Sequence, residues 1–302
     1  MTVIPLNKDS IKTPCVAAIG FFDGVHIAHQ TLIEETIGIG KQKNLPAAVI
    51  TFDKHPKSVL YDFGYHYITP LSRKLEKFKA LGIDTVYVIE FTKEKAKMDP
   101  VQFIKRYFTN IDTLVCGFDF KFGVRGSGNI DLLREHSDFE TVVVKEITYG
   151  GFKVGSTHIR DLIKAGQMEL IEEVLGEPYS VSGPVVHGQK KGRLIGYPTA
   201  NIDADHYLMP KQGVYITRTK VDGVWYDSMS SIGHNPTMNC QVDLSLESHI
   251  LGFDQEIYGE IIEIEFVKRL RDELKFSSLE ALIAKIDQDK LDTINYFKKN
   301  RK

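Results

Sequence analysis

The residues best suited to chemistry in the first part of this sequence are two histidines three positions apart. His26 and His29 follow a short apolar run that ends at Gly20, and a turn containing Asp23 and Gly24 lies in between. A buried strand, a glycine turn and a helix start together favour anion binding, because the first N–H groups of a helix lack intrahelical partners and its dipole attracts negative charge. Two imidazoles there could hold nucleotide phosphates. The alternative is that they only cap a surface turn.

Two loops after other apolar runs carry further polar and aromatic residues. His55 lies in Thr51–Pro56, which is either a ligand-binding loop or an ordinary loop that ends at a proline. In the second loop, Asp119 and Arg125 could be the polar ends of an apolar slot. The phenylalanines that would form this slot, or would instead belong to the core, are Phe118, Phe120 and Phe122.

A helix start is predicted just after Gly155, with Arg160 in the first turn. Ser156 or Thr157 is suited to cap this helix, and a phosphate at the same terminus would lie beside Arg160. Plain capping explains the serine and the threonine equally well, and capping and phosphate binding can coexist.

A glycine-rich run in the second half of the chain suits nucleotide binding. Gly188 and Gly192 flank a segment that ends in Lys191, which predicts a flexible, positively charged loop able to fold over phosphates. The alternative is a glycine-rich corner of a barrel, which explains single residues of the run but not all of them together.

The turn that follows this loop presents two oxygen ligands. Gly196 and Pro198 fix the turn, and Thr199 and Asn201 come directly after it. A hydroxyl and an amide oxygen are hard ligands that suit Mg²⁺ bridging nucleotide phosphates. The alternative for Asn201 alone is that of a turn former.

Apolar runs and helical patterns alternate through the first half of the chain. After the run that ends at Gly20, segments rich in β-branched residues predict strands at Ala47–Phe52, Thr85–Ile89, Thr113–Gly117 and Thr141–Val144. The helical patterns between them cover His29–Gln42, Leu71–Leu81, Pro100–Phe108 and Ile130–His136. This alternation predicts an α/β domain with a parallel sheet, helices on both faces and ligands at the carboxyl ends of the strands. The histidine turn then lies on the ligand-binding edge.

From Tyr179 onward the sequence consists of short segments in which apolar and polar residues alternate, separated by Gly, Pro and Asn. Asp222-Gly223 between two alternating runs predicts a hairpin. Many short antiparallel strands of this kind predict a small β-barrel.

Helical patterns flank the predicted barrel. Thr157–Leu175 predicts two helices broken at Gly166, and Leu279–Ile286 predicts a closing helix with Ser277 and Glu280 as its capping box. We therefore predict two domains, residues 1–178 and residues 179–302.

The overall composition is that of an ordinary globular protein. Of the 302 residues, 42% are hydrophobic and 26% are charged, and 38 basic against 40 acidic side chains give a net charge of −2. This balance argues against a general nucleic-acid binder and a membrane-surface protein. The widely spaced Cys15, Cys116 and Cys240, and the lack of a signal-peptide core, predict a cytoplasmic protein without disulfides. We expect a monomer or a weak homo-oligomer.

Four motifs in the first half occur in the order found in a known family. They are Gly20-x-Phe22-Asp23-Gly24-x-His26-x-x-His29, Phe52-x-x-His55-Pro56, Gly117-x-Asp119-Phe120-x-Phe122-Gly123 and Ser156-Thr157-x-Ile159-Arg160. This order resembles the FMN adenylyltransferase domain of bacterial bifunctional riboflavin kinase/FAD synthetases, which has the Rossmann-like nucleotidylyl-transferase fold. The resemblance implies transfer of AMP from ATP to the phosphate of FMN with release of pyrophosphate. It implies contacts to the ATP phosphates from His26, His29, Ser156, Thr157 and Arg160, and it implies that Asp119 and Phe120 lie near FMN and adenine.

The second half resembles the riboflavin kinase domain of the same family. The run Gly192-Arg193-x-x-Gly196-x-Pro198-Thr199-Ala200-Asn201 is a nearly complete match to its motif. The resemblance implies that Glu247, in Glu247-x-His249, is the general base toward the ribityl 5′-hydroxyl. From the strand pattern alone, Glu247 is equally an outward-facing charge. Arg271 and Phe276 match a late motif of the family near the flavin site. Asn235-Pro236-Thr237 matches another segment of the family.

The resemblance runs from about Val16 to Ile294 and implies a bifunctional enzyme that uses riboflavin, FMN and ATP as substrates and Mg²⁺ as the metal. One alternative is a riboflavin kinase whose first domain has weak or altered transferase activity. Its basis is three departures from the family pattern, at Ala28, Lys54 and Gly155. The other alternative is a non-catalytic flavin-responsive regulator. The presence of all three residues Thr199, Asn201 and Glu247 argues against it.

Overall fold

The computed structural model describes residues 1–6, 10–61, 64–188, 191–204, 206–234 and 244–300. By internal contacts the chain divides into two compact units, Met1–His158 and Ile159–Lys302. The domain boundary expected after residue 178 stays a prediction.

The first unit contains a six-stranded sheet in which every neighbouring pair is parallel. Its strands are β1 (Thr2–Pro5), β2 (Cys15–Ile19), β3 (Ala47–Phe52), β4 (Thr85–Ile89), β5 (Ile111–Gly117) and β6 (Glu140–Val144), in the order β1-β4-β3-β2-β5-β6. Alternate residues of β2 belong to different hydrophobic clusters. Ala17 and Ile19 pack in one cluster, and Val16 and Ala18 pack in another. The predicted parallel sheet, buried on both faces, is confirmed.

The helices of the first unit largely follow the sequence patterns. They are α1 (Ile27–Lys43), α2 (Pro56–Leu60), α3 (Leu71–Leu81), α4 (Pro100–Tyr107) and α5 (Ile130–His136), and a short hairpin adds β7 (Thr148–Tyr149) and β8 (Phe152–Lys153). The start of α4 is capped by the Asp99 carboxylate, which accepts hydrogen bonds from the N–H groups of Val101 and Gln102.

The second unit contains a closed antiparallel barrel. Its strands are β9 (Tyr179–Val186), β10 (Ala200–Ile202), β11 (Gly213–Val221), β12 (Val224–His234), β13 (Leu244–Ile250) and β14 (Ile261–Arg271), in the order β10-β13-β12-β11-β14-β9. The predicted hairpin joins β11 to β12, and Asp222 and Gly223 both have positive φ, at 46° and 79°. This is the turn geometry that matches the strand twist.

Among the described residues, four helices accompany the barrel strands in sequence, and two of them pack on the barrel. They are α6 (Ser156–Ala165, which crosses the division at His158), α7 (Met168–Leu175), α8 (Lys191–Leu194) and α9 (Leu279–Asn300). The predicted break between α6 and α7 lies at Gly166, whose φ is 75°. α7 packs on β9 and β14, and α9 packs on β12.

The predicted cap of α9 is wrong by one residue. The Ser278 hydroxyl, not that of Ser277, accepts a hydrogen bond from the N–H of Ala281, so Glu280 lies one position too early for a capping box. The helix also extends to Asn300, well beyond the predicted Ile286. No helix in the described part of the chain combines the length and apolar character that a membrane crossing requires.

Two candidate active sites

The predicted histidine pair meets at the carboxyl end of β2. His26 is the N-cap of α1, and its Nδ1 accepts a hydrogen bond of 3.4 Å from the N–H of His29. The two rings stack with centroids 3.6 Å apart and planes 16° apart. His26 is only 3% exposed, so it caps a buried helix start rather than a surface turn.

Both imidazoles are neutral at ordinary pH. Burial, with a smaller effect of the charge of Lys153, lowers the pKa of His26 to about 4 against the opposing effects of its backbone hydrogen bond and Asp119. Burial, together with His26 and Lys74, places the pKa of His29 well below its usual value. Because Nδ1 of a neutral His26 accepts, its Nε2 carries the proton and can donate. At neutral pH the pair therefore carries no positive charge, and any interaction it makes with an anion would be a hydrogen bond.

The turn before the histidines is conformationally strained. Phe22 and Val25 have positive φ values of 57° and 45°, which are uncommon outside glycine and costly for a β-branched residue. The Phe22 ring is buried and makes edge contacts with Phe78 and His29. Glycine is favoured at position 20, since a Cβ there would lie only 3.1 Å from that ring.

Asp23 stabilises this turn from inside. It is 2% exposed, and its carboxylate accepts hydrogen bonds from the N–H of Thr69 at 3.1 Å and the hydroxyl of Tyr65 at 3.4 Å. The Ser156 hydroxyl donates to the Asp23 carbonyl at 2.8 Å, which ties the start of α6 to the histidine turn. Arg160 lies one turn further along the same helix.

The other predicted residues of the first unit take varied positions. His55 is the N-cap of α2, with Nδ1 accepting from the N–H of Lys57, and its ring stacks on Tyr65 at 4.1 Å. Asp119 is largely exposed and pairs with Lys153 at 2.6 Å. Arg125 lies in a 3-10 turn with φ of 52°.

The predicted phenylalanine slot is mostly core. Phe122 is 6% exposed within the main cluster, and Phe120 packs against that cluster and stacks on Phe122. Phe118 remains 40% exposed, and the Lys153 ammonium lies 4.5 Å from its ring centroid.

In the barrel, the predicted base and a predicted metal ligand contact each other. The Thr199 hydroxyl donates to the Glu247 carboxylate at 3.0 Å. Asn201 is directly opposite Glu247 in the β10–β13 pairing. Gly188 packs against the Asn201 amide so closely that any Cβ there would collide with it.

Two cavities meet at Thr199. The larger, of about 260 Å³, is lined by Glu247, Arg271 and Phe276 together with apolar residues of α9. The other, of about 230 Å³, is lined by Arg193 and Pro198. Because the Thr199 side of each cavity is shared, a ligand in one can lie beside a ligand in the other.

Two further predicted residues lie in the segment that precedes Thr199. Gly196 adopts φ of 83° in the turn, and Lys191 begins α8. The matching segment Asn235–Thr237 lies outside the described residues.

Two polar residues that line the larger cavity were not predicted as site residues. His249 is 8% exposed, and its Nδ1–H donates to the Pro198 carbonyl at 2.8 Å; burial lowers its pKa. Asp289 of α9 accepts a hydrogen bond from Arg271 Nε at 2.8 Å. His249 could have been found from its spacing, since it lies two residues after Glu247 on one face of a strand, whereas Asp289 gave no local signal.

Comparison with known proteins places both units in described families. The FAD synthetase family model matches residues 8–158, and the riboflavin kinase family model matches residues 175–297. A bifunctional riboflavin kinase/FMN adenylyltransferase of Listeria monocytogenes is 42% identical over 94% of this chain and 93% of its own. The protein of the same description from Bacillus subtilis is 38% identical over 95% and 94%.

A solved structure has the same fold over nearly the whole chain. It is described as a macrolide-efflux protein from Streptococcus pneumoniae and is 31% identical, with a TM-score of 0.88 over 98% of this chain and 99% of that one.

Proposed function

Since this chain belongs to the family of bacterial bifunctional riboflavin kinase/FMN adenylyltransferases, we propose that it makes FAD from riboflavin in two steps. The barrel phosphorylates riboflavin with ATP to FMN, and the first unit adenylates FMN with a second ATP. The observation that carries the proposal is the Thr199–Glu247 hydrogen bond at the junction of two cavities.

In the kinase step, Glu247 is the general base. Riboflavin occupies the larger cavity against the apolar face of α9, and ATP occupies the neighbouring one. Glu247 accepts the proton of the ribityl 5′-hydroxyl while that oxygen bonds to the γ-phosphorus and the bond from the γ-phosphorus to ADP breaks. Thr199, hydrogen-bonded to the carboxylate, orients it toward the junction.

The residues around Asn201 fit Mg²⁺. Thr199, Asn201 and Glu247 offer hydroxyl, amide and carboxylate oxygens, the hard donors that Mg²⁺ prefers alongside nucleotide phosphates. Gly188 lets the backbone lie against the Asn201 amide, where any Cβ would collide with it. Thr199 and Asn201 would hold the ion, which would neutralise charge on the transferred phosphate.

In the adenylylation step, positioning replaces acid–base chemistry. A phosphate oxygen of FMN bonds to the α-phosphorus of ATP, and the bond to the departing pyrophosphate breaks, so no side chain needs to take a proton. Nε2–H of neutral His26 and the positive end of the α1 dipole stabilise charge on the phosphates.

Two departures from the family pattern are sterically mild. An added Cβ at Gly155 would meet no atom within 4 Å, and Lys54 is exposed. Ala28 lies half-buried between the two histidines, so it is the departure closest to the chemistry.

The direct test is product analysis of the purified protein with Mg²⁺ and ATP. We expect FMN from riboflavin, FAD from FMN, and faster FAD formation in Ala28→Gly. FMN without FAD in both proteins would leave only the riboflavin kinase, and neither product would overturn both assignments.

We also propose a cytoplasmic location. Cys15 and Cys116 are buried free thiols, which suits a reducing compartment. Alkylation of unfolded protein from cells, with and without prior reduction, tests this: modification of both thiols without reduction is expected, and a reduction-dependent fraction would contradict it.

A further inference from the structure

Lys74 of α3 is a lysine in the core of the first unit. Its side chain is 1% exposed, whereas Lys79 on the same helix is exposed. Removing an ammonium from water is costly unless it is hydrogen-bonded or paired, so its burial needs a specific reason.

The Lys74 ammonium contacts the turn that precedes the two histidines. Its Nζ donates to the Phe21 carbonyl at 2.8 Å and lies 4.1 Å from the centroid of the Phe21 ring. The hydroxyl of Thr51 donates to the same carbonyl at 3.2 Å. The Phe21 carbonyl is therefore held by donors from α3 and β3.

This carbonyl belongs to the residue just before the strained backbone of the turn. The next residue, Phe22, has the left-handed φ of 57°, and Val25 repeats that conformation three residues later. Strained backbone of this kind persists only where surrounding contacts over-determine it. Loss of the Lys74 hydrogen bond would allow the turn to relax and would move the start of α1.

Lys74 is also a positive charge close to the histidines. Its charge helps to lower the pKa of His29. Burial lowers the pKa of Lys74 itself to about 8, against the opposing charges of Asp23 and Asp53. The ammonium is thus mostly charged at neutral pH.

We propose that Lys74 is a positioning residue of the adenylylation site, whose charged ammonium fixes the Phe21 carbonyl and so holds His26 and His29 in place for phosphate binding. This role rests on the proposed FMN adenylylation. It assigns to α3, a helix with none of the family motifs, control over the histidine turn.

The test compares Lys74→Met, Lys74→Arg and the exposed control Lys79→Met in the full-length protein. Lys74→Met should lower kcat for FAD formation by about 100-fold, the scale of a misplaced phosphate site. Lys74→Arg, which keeps a charged donor, should recover part of this loss. FMN formation by the barrel should be unchanged in all three variants and reports whether the rest of the chain is folded.

The pH profile separates positioning by charge from simple packing. The groups that face Lys74 are Asp23 in the turn, Asp53 after β3 and His29 on α1. Lys74 loses its proton as pH rises through about 8, so FAD formation by the wild type should fall there. In Lys74→Arg this alkaline fall should disappear, because a guanidinium stays charged.

The outcomes are distinguishable. If the wild type makes no FAD, the proposed adenylylation fails and the role of Lys74 fails with it. If the wild type makes FAD, an unchanged rate in Lys74→Met overturns the role of Lys74 alone. If Lys74→Met unfolds the first unit, Lys74→Arg decides, and an alkaline fall identical to that of the wild type overturns the proposal.

Discussion

The two ring nitrogens of His26 have separate tasks. Nδ1 accepts the His29 N–H and caps α1, which leaves the proton on Nε2 for a phosphate. Protonation would convert Nδ1 into a donor and break the cap. The low pKa of His26 therefore protects the cap and, at the same time, the proton on Nε2 that the proposed phosphate contact requires.

This predicts a loss of stability in mild acid. The unfolded chain binds a proton on His26 near 6.5 and the folded chain only near 4, so the contribution of this residue is complete above 6.5 and is lost as pH falls toward 4. The protection factors for amide hydrogen exchange at the first turn of α1, which are corrected for the pH dependence of intrinsic exchange, should fall over that range. His26→Gln should flatten the dependence and exposed His66→Gln should not; equal profiles in all three proteins would contradict the assignment.

The sequence predicted those helices and strands whose bounds are set by residues within the segment itself. Asp99 before Pro100 specifies a helix start by itself, and α3 has the predicted bounds because its apolar spacing lies within the segment. The short edge strand Thr2–Pro5 was missed because it is mostly exposed and shows no alternation.

Site residues placed by tertiary contacts could not be predicted in the same way. His26 and His29 are neighbours through their own helix, and their pairing follows from spacing. Lys74 reaches the turn from a distant helix, so its sequence neighbours give no signal. Asp289 likewise meets Arg271 only once α9 lies on the barrel.

The barrel strands share a buried network of hydroxyl groups. Thr217, Thr219, Ser228, Ser230 and Ser248 are all 1% exposed or less. They are joined by hydrogen bonds of 2.8–2.9 Å. Each group satisfies another, so removing one leaves a buried partner unpaired.

Thr219→Val should therefore destabilise the barrel although it keeps the side-chain shape. Ser228 and Ser248 would lose a partner, at a cost of about 1–3 kcal/mol. Urea unfolding of the full-length protein, monitored by fluorescence of Trp225 in the barrel, measures this. Thr219→Ser, which keeps the hydroxyl, is the control, and a Thr219→Val protein as stable as the wild type would show that the network contributes nothing.

At the scale of the whole molecule, two units carry two sites. Helix α7 buries Met168, Ile171, Val174 and Leu175, and it packs on β9 and β14 of the barrel. Contacts thus assign α7 to the barrel unit, although the sequence prediction placed it with the first domain.

Two fragments test which boundary describes a folding unit. Residues 159–302 should unfold at a higher temperature than residues 179–302, because only the longer fragment keeps the apolar face of α7. Circular dichroism melting of both measures the difference. Equal melting temperatures would support the boundary after residue 178.

Glu247→Gln, supplied separately with riboflavin and with FMN in the presence of Mg²⁺ and ATP, tests whether one chain carries out two independent reactions. Loss of the base should lower FMN formation by about 100-fold or more while leaving the fold and flavin binding intact. FAD formation from riboflavin should fall to the same extent, whereas FAD formation from FMN should keep the wild-type rate. FMN formation at the wild-type rate, or loss of FAD formation from FMN, would contradict this account.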